Sequence, residues 1–356
     1  GTQAYLANWD AGLVLLDISD VTDPQVVSVA IDPTSEDGEV NSHSVWPSED
    51  GTIVVEGEED FAPFEVEFTI DTGPFAGDVF PAAEGAITAL IGFLPGGVMS
   101  GPTVYVGFGC EGSVFDPVPP FDLPMPAATD PSQLALIQRG GCFFSEKINN
   151  AEDAGYAGVV VFNDAARGDA LVTMGGSPTN LPGVFVGHST GLKIAGVADA
   201  TELVLGATGE DVTVTATPDG WSGLRIWDYE DPTAPILAST FNTVCSADPI
   251  AAICDQAGTY SSHNVIVETD ADDTVKAYVS WYSDGVLILD VSDPYHPVEL
   301  GRYSRSDRGF IKKNAGPQDV WGVYKVPSEP WIYASDRSGG LYIVKELASG
   351  KPHGKR

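Results

Sequence analysis

Basic side chains are the scarcest feature of this sequence: 17 Lys and Arg stand against 51 Asp and Glu, for a net charge of −34. A field of that sign repels nucleic-acid phosphates and anionic lipid heads. It therefore argues against nucleic-acid or membrane-surface partners, and for solubility in a salty or extracellular medium. No apolar run approaches the roughly 20 residues that a bilayer-crossing helix needs. Helix-period patterning is confined almost to one region, while 40 Gly and 26 Pro point to many short strands joined by turns. The expected class is mainly β. Catalytic signatures are scarce too: no Gly-x-Ser-x-Gly elbow, no His-Glu-x-x-His and no Walker loop are expected. No CxxC or His-rich spacing supports a zinc site.

What is present is a repeat. AYVSWYSDGVLILDVSDPYHPVEL (277–300) and AYLANWDAGLVLLDISDVTDPQVV (4–27) align without a gap, setting Tyr5 on Tyr278, Gly12 on Gly285, Asp17 on Asp290 and Pro24 on Pro297. An apolar run closed by Asp and a Pro-bearing turn reads as a buried strand that leaves a sheet and bends. Partial copies lie at 222–235 and 332–344. Such units cannot bury both faces alone, so they stack on their neighbours, and four copies predict a β-propeller. The copy at 263–291 has a preceding strand that the first lacks. The expectation is an incomplete propeller, closed by another chain, by the C-terminal strand or by sequence from a longer precursor.

The second copy is interrupted. NSHSVW (41–46) and the strand at 52–56 match 262–265 and 276–280, but the next apolar run comes only at 224–228. About 160 residues are thus spliced into a loop between two strands, where insertion disturbs a packed sheet least. The expected organisation is repeats at 1–60 and 220–347, an insert at 61–219 and a basic tail at 348–356. Within the insert, 134–137 reads as a strand, 139–141 as a turn, 145–154 as a helix capped by Ser145 and stopped by Gly155, and 159–162 as a second, parallel strand. Four cysteines allow three pairings; grouping by domain favours Cys110 with Cys142 and Cys245 with Cys254. Disulfides would place the chain outside the cytoplasm.

LALIQRGGCFFSEKINNAEDAGYAGVVVFN (134–163), followed by LPGVFV (181–186), resembles the protease-associated (PA) domain. That resemblance implies an α/β, non-catalytic module of secreted and lumenal proteins, used for binding or as a lid. Its conserved Cys matches Cys142, which supports pairing with Cys110. The runs ending at Asp17, Asp228, Asp290 and Val344 are similar to LVIVD repeats of bacterial and archaeal surface propellers.

His43 and His263 occupy equivalent places, with Gln318 in the fourth unit. Converging near a propeller axis they could bind a metal or an anion; otherwise they hydrogen-bond loop backbone between sheets. Asp17, Asp228 and Asp290 recur before turns, as expected of carboxylates accepting backbone N–H groups. The loops at 17–23 and at Asp270, Asp272 and Asp273 are candidate Ca2+ ligands by oxygen content, without EF-hand spacing. Arg139 reads as a structural hydrogen-bonder. Trp9, Trp46, Trp221, Trp227, Trp281 and Trp321 read mostly as packing residues, those at strand ends being candidates for a carbohydrate- or peptide-binding face. The combined reading is a non-catalytic extracellular or cell-surface binding and scaffold protein that self-associates or contacts other proteins. The alternative is a secreted metal-dependent hydrolase gated by the insert.

Overall fold

The computed structural model describes residues 1–33, 41–110, 124–304, 318–327 and 329–346, so the basic tail at 348–356 lies outside the described residues. The chain divides into two compact units, Gly1–Pro63 with Gly220–Arg356, and Phe64–Asp219.

The first sheet is antiparallel: β1 (Gln3–Ala7), β2 (Leu13–Asp17) and β3 (Gln25–Ala30). β4 (Ser42–Pro47) and β5 (Ile53–Glu58) begin the second. The insert follows, with β6 (Phe64–Ile70), β7 (Val79–Phe80), β8 (Ala82–Glu84), β9 (Val98–Tyr105), β10 (Leu134–Gln138), α1 (Phe144–Asp153), β11 (Gly158–Phe162), β12 (Gly183–Val186), α2 (His188–Ala195) and β13 (Thr208–Pro218). β14 (Leu224–Asp228) then returns to pair with β5, Leu224 opposite Gly57 and Asp228 opposite Ile53. With β15 (Ile236–Phe241) the second sheet runs β15-β14-β5-β4, which bears out the splice. The third sheet is β16 (Val265–Thr269), β17 (Val275–Trp281), β18 (Gly285–Asp290) and β19 (Val298–Tyr303). The fourth is β20 (Val320–Lys325), β21 (Trp331–Asp336) and β22 (Gly340–Lys345).

The repeat has a physical basis at three points. Gly12 and Gly285 sit at φ 77° and 93°, and a Cβ there would collide with the carbonyl oxygens of Ala30 and Tyr303. Only glycine avoids both penalties. After each apolar run the carboxylate turns the chain as expected: Asp17 accepts from Ser19 N (2.8 Å), Asp228 from Glu230 N (2.9 Å) and Asp290 from Ser292 N (3.0 Å). A register shift recurs at one place in three sheets, at Leu15/Leu16, Ile226/Trp227 and Ile288/Leu289, adding local twist where each outer strand is held.

Period-2 alternation gives each sheet two apolar faces. Leu13 and Leu15 pack with Val54 and Trp227. Val55, Leu224 and Ile226 pack with Ala277, Val279, Leu287 and Leu289. Tyr278, Val286 and Ile288 pack with Val320, Val323, Ile332 and Ala334. The four sheets thus stack in chain order, and among the described residues no core joins the fourth to the first.

The insert is an eight-stranded sheet, β7-β6-β13-β9-β10-β11-β12-β8, whose two edge strands are separated in sequence only by Pro81. β9 to β12 are parallel. β10 and β11 are buried on both faces, as parallel strands are: Leu134, Leu136, Val160 and Phe162 face one core, and Ala135, Ile137, Val159 and Val161 the other. α1 begins one residue before the expected cap. Phe143 holds the cap position and Ser145 lies inside the helix, without a side-chain cap. Gly140 and Gly141 at φ 118° and 81°, and the Cys110–Cys142 disulfide, fix the approach of the chain, while Glu146 in the first turn faces the positive end of the helix dipole.

Candidate functional site

The buried polar groups of the repeat unit gather where β4 begins, β5 ends and β16 is about to start. In the β4–β5 ladder Ser42 pairs with Glu58 and Ser44 with Gly57, so His43 is the extra, bulged residue; such a bulge re-aims a side chain. Gly57 lets the neighbouring sheet approach, since a Cβ there would come within 2.7 Å of Ser44 Oγ and 2.9 Å of the His263 carbonyl. Ser44 Oγ donates to that carbonyl at 2.5 Å. Together these place three side chains against one another. His43 Nδ1 lies 3.2 Å from Glu59 Oε2, and His263 Nε2 lies 3.4 Å from Glu59 Oε1. Among the described residues this is the group of three or more His, Cys, Asp or Glu whose ligand atoms converge, all within 4.8 Å.

The surroundings are aromatic. The two imidazoles stand 4.3 Å apart, with Trp9 beside His43 at 5.6 Å and Trp321 beside His263 at 5.2 Å. Tyr282 O–H donates to Glu59 Oε1, and the Tyr282 ring lies beneath the Arg337 guanidinium. Burial pulls the His263 pKa down, and nearby His43 lowers it further; Glu59, Asn264 and the Trp321 backbone pull the other way. Sequence reasoning found both histidines from their equivalent places. It missed Glu59, which sits one residue past β5, where the matching copy has Ser283.

A second buried cluster lies next to it on the same strands. Arg225 faces two carboxylates, Glu58 Oε2 at 2.8 Å and Asp32, and Trp227 Nε1 donates to Glu56 Oε2 at 2.7 Å. One guanidinium serves several buried acids, so burial outweighs it: the Glu58 pKa is pushed up to about 8 and that of Glu56 is also raised.

The aspartate loops are occupied by their own chain. Asp270 pairs with Lys276 Nζ at 2.6 Å, Asp272 accepts from Thr274 N at 3.3 Å, and Asp273 holds a turn at φ 66°. In the loop at 17–23, Asp17 and Asp20 accept from Ser19 and Thr22. Of the tryptophans, Trp221, Trp227 and Trp281 are buried, whereas Trp9, Trp46 and Trp321 are exposed. Cys110–Cys142 and Cys245–Cys254 are both disulfides. In the insert, Arg139 donates to Asn163 Oδ1 at 3.1 Å. Lys147, fully buried, donates to the carbonyls of Phe108 (2.5 Å), Gln138 (3.2 Å) and Gly140.

One expectation about motifs needs correction. A Gly-x-Ser-x-Gly spacing does occur at 187–191, after β12 and opening α2. It is not a nucleophile elbow: Ser189 is absent from the residues with positive φ, and its hydroxyl donates to Asp169 Oδ2 at 2.8 Å. His188 Nδ1 is engaged with the Asn163 carbonyl at 2.9 Å.

The comparisons agree with this layout. The PA domain family matches residues 99–194, and the LVIVD repeat family matches 1–30 and 277–305. The chain is an LVIVD-repeat protein with an inserted PA domain. Its PA region is similar to parts of membrane and RING proteins. The rice receptor homology region, transmembrane domain- and RING domain-containing protein 1 is 35% identical over 111 residues, covering 28% of this chain and 20% of that protein. The E3 ubiquitin-protein ligase Godzilla of Drosophila melanogaster is 41% identical over 75 residues, 20% of this chain and 13% of the relative. The LVIVD-repeat chain thus spans about a fifth or less of these relatives' length. Among solved structures, BSAP, a zinc aminopeptidase from Bacillus subtilis, matches at 16% identity and TM-score 0.33 over 49% of this chain and 36% of that one. Among the described residues no helix is long and apolar enough to cross a membrane.

Proposed function

We propose that this protein is an extracellular binding and assembly protein whose LVIVD unit associates with further copies of itself, carrying the PA domain as a passenger recognition module. The carrying observation is that the end sheets expose faces their repeat equivalents bury. In the first sheet Leu6, Val14 and Val29 form one in-register row and Ala4, Leu16 and Val26 another; Leu6, Val26 and Val29 are exposed. In the third sheet the counterparts of Ala4, Leu6, Val14 and Leu16, namely Ala277, Val279, Leu287 and Leu289, are buried against the preceding sheet, while those of Val26 and Val29 are the exposed polar Glu299 and Arg302. In the fourth sheet Leu341 and Ile343 are exposed, 64% and 56%. Their counterparts Val286 and Ile288 are buried against the following sheet.

The fourth-sheet face of one copy thus fits the first-sheet face of another, by the same pairing that already joins sheets within the chain. That contact is heterologous, and two copies joined at both faces make a ring of about eight sheets, within the range of propellers. Exposed apolar surface of this extent marks an interaction site. Two disulfides support an oxidising location. In light scattering the protein is expected at twice its 37.4 kDa, with Leu6→Asp or Ile343→Asp shifting it to the monomer. A monodisperse wild-type monomer at tens of micromolar would overturn the reading.

A second reading, metal-dependent hydrolysis, is favoured by the histidine–glutamate cluster alone. It requires turnover of a peptide or ester substrate that is lost on chelation.

A further inference from the structure

We propose that His43, Glu59 and His263 form a binding site for one divalent transition metal of the zinc class. The argument starts with the tautomer of His263. Its Nδ1 lies 2.9 Å from Asn264 Oδ1; with an oxygen as partner, Nδ1 carries the proton. In the neutral ring Nε2 is then a lone pair, and it points at Glu59 Oε1 from 3.4 Å. Two acceptors facing each other in a buried pocket repel unless a proton or a metal ion lies between them.

The spacing suits such an ion. With bonds near 2.0–2.1 Å, the ligands of a tetrahedral zinc stand about 3.3 Å apart. The two nitrogen–oxygen separations here, one to each oxygen of the Glu59 carboxylate, are 3.2 and 3.4 Å, and the three ligand atoms all lie within 4.8 Å of one another. Two imidazoles and a carboxylate are a ligand set for this class of metal, and unlike the all-oxygen set of Ca2+ they favour the borderline-soft ion. The supporting groups are also in place. The Tyr282 hydroxyl holds the Glu59 carboxylate and Asn264 holds the imidazole, the arrangement by which outer partners orient ligands. Glu59 and His263 are nearly sealed, while His43 keeps a quarter of its side chain exposed, leaving an entry path and a fourth position for water.

The test uses untagged full-length protein stripped with chelator, titrated with Zn2+ by calorimetry and with Co2+ by visible absorption. One ion per chain is expected, with tetrahedral Co2+ bands. His43→Ala and Glu59→Gln should each weaken binding at least 100-fold, and Tyr282→Phe by about 10- to 100-fold. His296→Ala, at an exposed histidine away from the cluster, should leave it unchanged. Far-UV circular dichroism and tryptophan fluorescence report whether each variant is folded, and His43→Ala, at the most exposed ligand, keeps the test valid if a buried variant is not. Binding of equal strength in His43→Ala and Glu59→Gln overturns the proposal. So does the absence of a one-to-one site in the wild type, or a preference for Ca2+ over Zn2+.

Discussion

Replacing Arg225 with Met tests whether the LVIVD unit depends on one guanidinium. Its side chain is 17% exposed and its two partners, Asp32 and Glu58, are 2% and 3% exposed. At 2.8 Å and an effective dielectric near 20, a single pair is worth about 6 kcal/mol before desolvation. Removing one partner of a buried pair costs about 3–5 kcal/mol net, because the charge left behind has no compensation. The cost depends on pH. In the native protein Glu58 is raised from 4.5 to about 8, so the stability it contributes is fully present below pH 4.5 and is lost as pH rises to about 8. Multiplying that difference by the free energy per pKa unit gives on the order of 5 kcal/mol across the window. Loss of Arg225 raises Glu58 further and carries the decline above pH 8. The variant should therefore lose about 1–3 kcal/mol at pH 5, where Glu58 is protonated in both proteins, and up to about 1 kcal/mol more at pH 8.5, where only the wild-type Glu58 has begun to ionise. Urea unfolding followed by tryptophan fluorescence reads this selectively, because Trp9, Trp46, Trp221, Trp227, Trp281, Trp321 and Trp331 all fall outside 64–219. A loss that is the same at both pH values, or below about 1 kcal/mol at pH 8.5, refutes the reasoning; Glu58→Gln should flatten the wild-type pH profile.

Two further outcomes follow from the repeat and the splice. Gly285→Ala should destabilise the same fluorescence transition by at least about 2 kcal/mol, since it adds a collision to a positive φ; an unchanged midpoint would contradict the role given to this glycine. Replacing 64–219 with a short Gly-Ser turn should leave the tryptophan emission and the number of copies per oligomer unchanged, because β5 and β14 are neighbours in one sheet; aggregation of the excised form counts against it.

Much of the fold was legible because the physics repeats. Gly12 and Gly285, the Asp turns and the apolar runs solve one local problem in the same residues, so alignment of the chain with itself exposed the units and the gap at β5. What was not legible depended on contacts far apart in sequence. Glu59 joins His263 only through the packing of two sheets, and neither its neighbours nor its spacing marks it. The helix start at Phe144 was misplaced because Ser145 is a good capping residue by type, whereas the glycine turn and the disulfide decide where the backbone becomes helical. Gly187 to Gly191 shows the reverse: the spacing of a motif is present, but Asp169 takes the serine.

The PA domain leaves and rejoins its host through stems that already touch, Phe64 lying opposite Pro218 and Gly220 N bonded to the Pro63 carbonyl at 3.1 Å. A passenger tethered in this way asks the host to close only a tight turn. Host and passenger segments can therefore drift, be exchanged or be lost at independent rates, and relatives with different cargo, or with none, should keep the same repeats.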